Sequence, residues 1–510
     1  MDARQIMDTT GAHAHASTSG LDVRRLRSRG GAGIERATGA FGLPVSNLRP
    51  PMAPASQTPP LRRLLSLAWP IIISRSSQTV VSVCDAAMVS HLGEDSLAAT
   101  TTGGLNLMAF YILPMGVVFI VSSFASQLYG RGDHAGARRY GFYGLAVAAM
   151  AQVLYFAAAL AAPHYVEAIG YAPNVAKLMQ QFMAVRLLTG GAAIGLEALG
   201  NYYGGLGNTR LPMATQVLCM VLNVALNWVL ISGHFGAPAL GVVGSATGSA
   251  LATLTAFLVL LGCFLSGVGE DPSARQGKPK LRFAELTRML RYGIPSGLNW
   301  FVEFGAFSLF INLIIKGLGT TTLAAFMAAM EVNQVAFMPA FGLTSAGAIL
   351  VGQAIGSKEL ERVPQTVKLT AMVACGWMGF VGVVYLLFAR TVILPFTPPG
   401  PGREAFLAVA SHILTLSITW QMFDATVMTL AEALRAAGDT AFTAWVRGLV
   451  AWFVFVPGSY ISVRLLGGGI GWIVFWLTGY IALMAFILFL RFRSGVWRRL
   501  DLAGSEMPPV

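Results

Sequence analysis

Three carboxylates lie where a carboxylate is costly. Asp85, Glu303 and Asp424 each sit inside a long apolar run. Lipid cannot solvate an ionisable group, so one at membrane depth faces a cavity, a partner or an ion pathway. In the run that follows residue 210, Gln216, Asn223 and Asn227 are spaced seven and four apart. At about 100° per residue all three fall within about 40° of one helix face. One carboxylate with amide oxygens suits a hard cation such as Na⁺. The same carboxylate, desolvated, can instead take up and release a proton. The plainer alternative is that the asparagines only bond helix to helix.

The second half carries its own set. Asn299 lies one turn before Glu303, Glu331 and Gln334 share the next run, and Asp424 and Glu432 share a later one. Carboxylates gathered around a cavity attract cationic, partly apolar ligands and can exchange them against H⁺ or Na⁺. Aromatics and methionines such as Phe304, Phe337, Met330 and Trp420 are dense beside them. These pack a core or lipid face, or line an adaptable wall that holds cations over aromatic rings. The structural alternative for the acids is a buried ion pair, for example Asp424 or Glu432 with Arg447. Arg75 either snorkels to a membrane surface or pairs with an acid. Arg186 and Glu197 read as packing near an interface. The histidines, among them His13 and His15 near the start, do not form a metal site.

The elements that must position these groups are membrane helices. The chain has 510 residues, 55% hydrophobic and only 11% charged, with a mean hydropathy of +0.63. A soluble protein carries about 25% charged residues, so a soluble enzyme, a disordered chain and a nucleic-acid binder are excluded as whole-chain readings. The four cysteines all lie in apolar runs without a paired spacing, which suggests neither a disulfide framework nor a zinc site. Twelve apolar stretches follow one another near 65–90, 98–127, 141–162, 176–204, 211–232, 240–265, 291–316, 322–355, 369–394, 406–434, 441–463 and 468–490. Each is about 20 residues or longer, enough to cross a bilayer.

Of the 35 Lys and Arg, 27 fall on the side of the two termini, 5 on the other side and 3 (Arg75, Arg186, Arg447) within spans. Lysine and arginine stay inside, so both termini are expected in the cytoplasm. The chain also repeats itself. Leu92-Gly93 returns as Leu318-Gly319, Leu97-Ala98-Ala99 as Leu323-Ala324-Ala325, and Gln127 and Gly130 as Gln353 and Gly356, all at an offset of 226. Pro70 and Pro114 return at Pro295 and Pro339, one residue short of it. An even number of spans separates the copies, which predicts two pseudo-symmetric six-helix lobes about an axis along the membrane normal, with a cavity between them. The expected divisions are a disordered basic tail at 1–60, a first lobe at 61–265, a linker at 266–290, a second lobe at 291–491 and a tail at 492–510.

These residues resemble the multidrug and toxic compound extrusion (MATE) family. The likeness rests on Pro70 with Asp85-Ala86-Ala87-Met88 and Leu92-Gly93, then Leu97-Ala98-Ala99, then Gln127 with Gly130. It continues through Asn223 and Asn227, Gly241-Val242-Val243-Gly244, Tyr292-Gly293-Ile294-Pro295 with Glu303, and Asp424 through Leu434-Arg435, covering about 61–490. The resemblance implies an all-α, twelve-helix, V-shaped integral membrane fold and a cation-coupled multidrug antiporter of the bacterial inner membrane. Such a protein exports cationic lipophilic compounds, including dyes, by alternating access. By position, Asp85, Asn223, Asn227, Glu303 and Asp424 would be the ion-coupling residues. Glu331, Asn299, Gln334, Gln216 and Phe304 would line the substrate cavity. One departure is the acid in Ala328-Ala329-Met330-Glu331, where the bacterial branch often reads His-Gln.

The expected partners are small cationic amphipathic substrates and membrane lipids, with no nucleic acid; the expected state is a monomer without a cofactor beyond the coupling H⁺ or Na⁺. Any metal is limited to a Na⁺ held by Asp85, Asn223 and Asn227. The competing reading is a lipid-linked precursor flippase. That activity expects a basic cavity for a pyrophosphate, whereas the intramembrane acids here outnumber the bases. A membrane-embedded enzyme or channel is disfavoured because no acyl-transfer motif or filter loop is present.

Overall fold

A computed structural model of the protein describes residues 59–275, 280–397, 400, 402–500 and 502–504. The tail through residue 58, with His13 and His15, lies outside the described residues, as do Lys278 and the chain end from 505. The first helix, α1 (Pro60–Ser90), opens on a proline at its first position, where the missing N–H has no helical partner to lose. Then come α2 (Glu94–Phe119), α3 (Val121–Gly130), α4 (His134–Ile169), α5 (Pro173–Leu188), α6 (Gly190–Gly205), α7 (Arg210–Ser232) and α8 (Val242–Ser266). The second half holds α9 (Phe283–Leu313), α10 (Thr320–Gly356), α11 (Arg362–Ile393), α12 (Arg403–Leu416) and α13 (Ile418–Ala437). It ends with α14 (Thr440–Val450), α15 (Val456–Tyr460) and α16 (Ile470–Arg493).

Nine spans among the described residues are long and apolar enough to cross a membrane, with α2 and α3 counted as one. The pairs α5–α6 and α12–α13, bent by 47° and 45°, bring the number to eleven. The remaining helix, α1, has 31 residues but carries Arg62, Arg63, Arg75 and Asp85, which lower its hydropathy. With α1 the order is consistent with the twelve stretches read from the sequence.

The recurring prolines all lie inside helices: Pro70 in α1, Pro114 in α2, Pro295 in α9 and Pro339 in α10. Each removes one helical hydrogen bond. At Pro114 the orphaned carbonyl of Phe110 is recovered by the Tyr155 hydroxyl, which donates to it at 3.3 Å. The break at Ile120 between α2 and α3 leaves a second orphan. The Ser123 N–H turns to Ile120, and Arg435 Nη1 of α13 donates instead to the Phe119 carbonyl at 3.1 Å.

Buried side chains gather in two main groups. One is built on Phe124, Tyr202, Tyr203 and Phe264 and takes in Met289 of α9 and Leu502 near the chain end. The other is built on Phe310, Phe326, Trp420 and Phe455. Leu64, Leu67 and Ala68 of α1 pack on Leu343, Ala346 and Ile349 of α10. Each half thus lends the first turns of its leading helix to the other. At the end of the bundle that carries Pro60 and Arg493, α3 and α10 cross in backbone contact. A Cβ added at Gly130 would collide with the Gln353 carbonyl, and one at Gly356 with the Gln127 carbonyl. Gln127 Nε2 donates to the Ala436 carbonyl at 2.7 Å, and Gln353 Nε2 to the Gly205 carbonyl at 3.2 Å. Beyond α16 the chain doubles back, with Leu502 fully buried and Arg131 Nη1 donating to the Gly504 carbonyl at 2.8 Å.

Candidate functional site

The first site forms where α1, α7 and α8 meet. Asn223 and Asn227 of α7 are 1% and 0% exposed, and their spacing of four sets one above the other on the helix face. Asn227 Nδ2 donates to Asp85 Oδ1 at 2.5 Å, and Ser249 Oγ of α8 donates to Asp85 Oδ2 at 3.2 Å. Asn223 Nδ2 in turn donates to Ser249 Oγ at 2.9 Å. Gly248 allows the approach, since a side chain there would strike Asn227 Oδ1. That Oδ1 atom is buried without a hydrogen-bond partner. Both Asp85 carboxylate oxygens thus accept a hydrogen bond from a neighbouring helix. Half a turn of the Asn227 amide would aim the orphaned oxygen toward the carboxylate and complete an all-oxygen set for a hard cation. Ser249 gave no separate signal in the sequence, where it is one small residue among several in Gly244-Ser245-Ala246-Thr247-Gly248-Ser249.

Gln216 stands apart from this network. Seven residues before Asn223 on the same face, it is about 10 Å further along the helix. It lines a cavity of about 70 Å³ with Arg75, Glu197, Asn201 and Arg435. Here Arg75 does not snorkel: its Nη2 lies 2.6 Å from Glu197 Oε1. Glu197, expected to pack near an interface, therefore neutralises a half-buried cation, and Asn201 Nδ2 also donates to it at 3.1 Å.

The second site is a cavity of about 550 Å³ in the second half. Asn299, Glu303 and Phe304 of α9, Gln334 of α10 and Asp424 of α13 line it, with Trp300, Phe307, Phe337 and Phe341 as an aromatic wall. Arg447 Nη1 donates to Glu303 Oε2 at 2.5 Å, and Glu432 pairs with Arg435 one turn on. The expected partner of Arg447 was Asp424 or Glu432; the arginine instead reaches across to α9. No hydrogen bond or ion pair holds Asp424 among the described residues. Asn299 Oδ1 is also buried without a partner.

Glu331 corrects an expectation. It is exposed and is not among the residues lining the cavity. The stripe that α10 turns to the cavity is Gln334, Phe337 and Phe341, and Glu331 lies about 90° round the helix from its middle.

Outside the spans, residues 267–275 fold against α4 and α6. Glu270 Oε2 lies 3.0 Å from Arg138 Nη1, not aligned for a hydrogen bond, and Glu270 Oε1 accepts one from the Tyr202 hydroxyl at 2.9 Å. Burial holds the Glu270 carboxyl above the ordinary Glu range despite Arg138 and Tyr202. Its neighbour Asp271 is held below the ordinary Asp range by the Ser273 hydroxyl and N–H, both donating to it.

The sequence pattern of the MatE family matches residues 70–229 and 295–461. The probable multidrug resistance protein NorM of Bradyrhizobium diazoefficiens is 26% identical over 442 residues, 84% of this chain and 92% of that protein. That of Neisseria meningitidis serogroup B is 27% identical, covering 82% and 90%. The multidrug resistance protein MdtK of Photorhabdus laumondii is 25% identical, covering 78% and 87%. Among solved structures, a MATE protein in complex with MaD3S superposes with a TM-score of 0.78 at 21% identity, over 89% of this chain and 99% of that one. An outward-facing multidrug resistance MATE transporter gives 0.77 at 20%, over 87% and 98%. Both likenesses concern the fold.

Proposed function

From the premise that the chain belongs to the MatE family, we propose that it is a multidrug efflux antiporter that exchanges a cationic, lipophilic compound for H⁺ or Na⁺. The observation that carries this reading is Asp424, an acid without a partner in a cavity of about 550 Å³ walled by aromatic rings. A desolvated cation gains both from the carboxylate and from ring faces. A cavity of that size matches the space small-molecule sites offer.

In this reading Asp85, held by Asn223, Asn227 and Ser249, carries the coupling ion of the first half. Glu303 and Asp424 carry cargo or ion in the second, and Asn299, Gln334 and Phe304 shape the space around them. The protein resides in a bacterial inner membrane with both termini in the cytoplasm, a topology supported by the charge bias. The crossing of α3 and α10 then closes the cytoplasmic side. The curated relatives named as multidrug resistance proteins support small compounds as the cargo.

The test is ethidium transport in proteoliposomes, with a proton gradient and a sodium gradient imposed separately. One gradient drives dye accumulation in wild type, and Asp424→Asn and Asp85→Asn abolish it while the protein still inserts. Gradient-driven transport at wild-type rate in both variants would remove the proposed roles. Binding of a polyprenyl-pyrophosphate lipid but of no dye would favour a flippase instead.

A further inference from the structure

Five charged side chains line the cavity of about 550 Å³: Glu303, Asp424, Glu432, Arg435 and Arg447. Two of the three acids are already neutralised. Glu432 is paired with Arg435 on the same helix. Glu303 is paired with Arg447 of α14, at 2.5 Å. Asp424 is left over, so with every group ionised the cavity holds one net negative charge.

The Glu303–Arg447 pair differs in kind from its neighbour. The arginine of the Glu432 pair is anchored, because Arg435 also donates to the Phe119 carbonyl and to Ser123 Oγ. Arg447 donates no hydrogen bond except to Glu303 among the described residues. The Glu303 side chain is 44% exposed against 18% for Arg447. The acid therefore stands in the open space, and the arginine covers it from the wall.

Building on the antiporter reading, we infer that Arg447 sets the charge of the cargo: by occupying Glu303 it leaves Asp424 alone to meet an incoming ligand, and so selects compounds with one positive charge over compounds with two. A monocation neutralises the cavity. A dication leaves one positive charge in a poorly solvating space, unless it displaces a guanidinium tethered beside its acid. Removing the Arg447 charge frees Glu303, and the cavity then presents two acids. A second carboxylate about 4 Å from a second cationic centre strengthens binding about fivefold even in water, and more where the space is drier.

Ethidium and propidium test this, because they share one chromophore and carry one and two positive charges. Their affinities for the purified full-length protein are read in detergent from dye anisotropy and from quenching of tryptophan fluorescence, which needs no gradient and no turnover. Wild type prefers ethidium. Arg447→Gln raises the propidium-to-ethidium affinity ratio about fivefold or more, and Arg447→Lys leaves the ratio as in wild type. The double variant Glu303→Gln with Arg447→Gln restores one net negative charge and with it the wild-type ratio, which a merely disturbed fold would not do. An unmoved ratio in Arg447→Gln, or a raised ratio that persists in the double variant, overturns the inference while ethidium binding keeps the antiporter reading intact. Failure of wild type to bind either dye overturns both.

Discussion

Gln127 and Gln353 make the same contact from opposite halves of the molecule. Each lies near the end of a helix and donates its amide to the last carbonyls of a helix in the other half, Gln127 to Ala436 of α13 and Gln353 to Gly205 of α6. The two glutamines stand 226 residues apart, and the two acceptors 231. Arg63 Nη2 also donates to Gln353 Oε1, at 2.8 Å. These bonds use helix-end carbonyls that have no partner within their own helices.

Gln127→Ala and Gln353→Ala should therefore each weaken closure at this end by about 1 kcal/mol, about a fivefold shift toward the open arrangement. Distances between spin labels in the 131–133 and 357–361 loops report it. An unchanged distribution in both variants would show that the glutamines do not hold the closure.

The glycines at the same crossing predict a larger effect. Gly356→Val forces a side chain into the Gln127 carbonyl, and overpacking of this kind costs about 1–3 kcal/mol. The variant should insert, lose the closed population and transport poorly. Gly104, with open space around it, supplies the control: Gly104→Ala should transport like wild type.

Much of this frame was legible in the sequence. Apolar run length marks the spans, and the 226-residue offset by itself pairs Gln127 with Gln353. Side-chain reach was not legible. Spacing set Gln216 on the face of Asn223 and Asn227, but position along the axis puts it in another cavity. Glu331 is only three residues from Gln334, yet it turns out of the wall. Long arginines were the least readable, because Arg75, Arg435 and Arg447 span helices that sequence order does not place side by side.

At the first site, Ser249→Ala removes a donor to a carboxylate. Hydrogen bonds to charged groups contribute about 1.5–3 kcal/mol, so gradient-driven dye efflux at a fixed gradient should fall about tenfold or more. Ser249→Thr, which keeps the hydroxyl, should retain most of the rate. Equal rates in all three proteins in the proteoliposome assay would detach Ser249 from the coupling site.

Glu270 and Asp271 predict opposite pH slopes in stability. The folded state holds the Glu270 proton more tightly than the unfolded chain does, so its contribution is greatest in acid and is lost as pH rises above the ordinary Glu range, about 4.3. Asp271 is held ionised, so its contribution is present above the ordinary Asp range, about 3.9, and is lost as pH falls through its lower value. Thermal unfolding in detergent across pH 3–7 (about the range where carboxylates titrate) should show Glu270→Gln flattening the decline toward neutrality. Asp271→Asn should flatten the loss in acid. Parallel curves for both variants and wild type would mean that neither group is perturbed.

Leu502 follows the last helix of the second half but is seated among the apolar side chains of the first, and Arg131 fastens Gly504 beside it. The polypeptide is therefore buckled across its own seam. A rocking motion that parts the halves at this end must pull the leucine from its seat or carry slack between Arg493 and Leu502. Reporter tags placed after Arg493 would ride on that buckle, and a chain shortened there would rock with one fastening fewer.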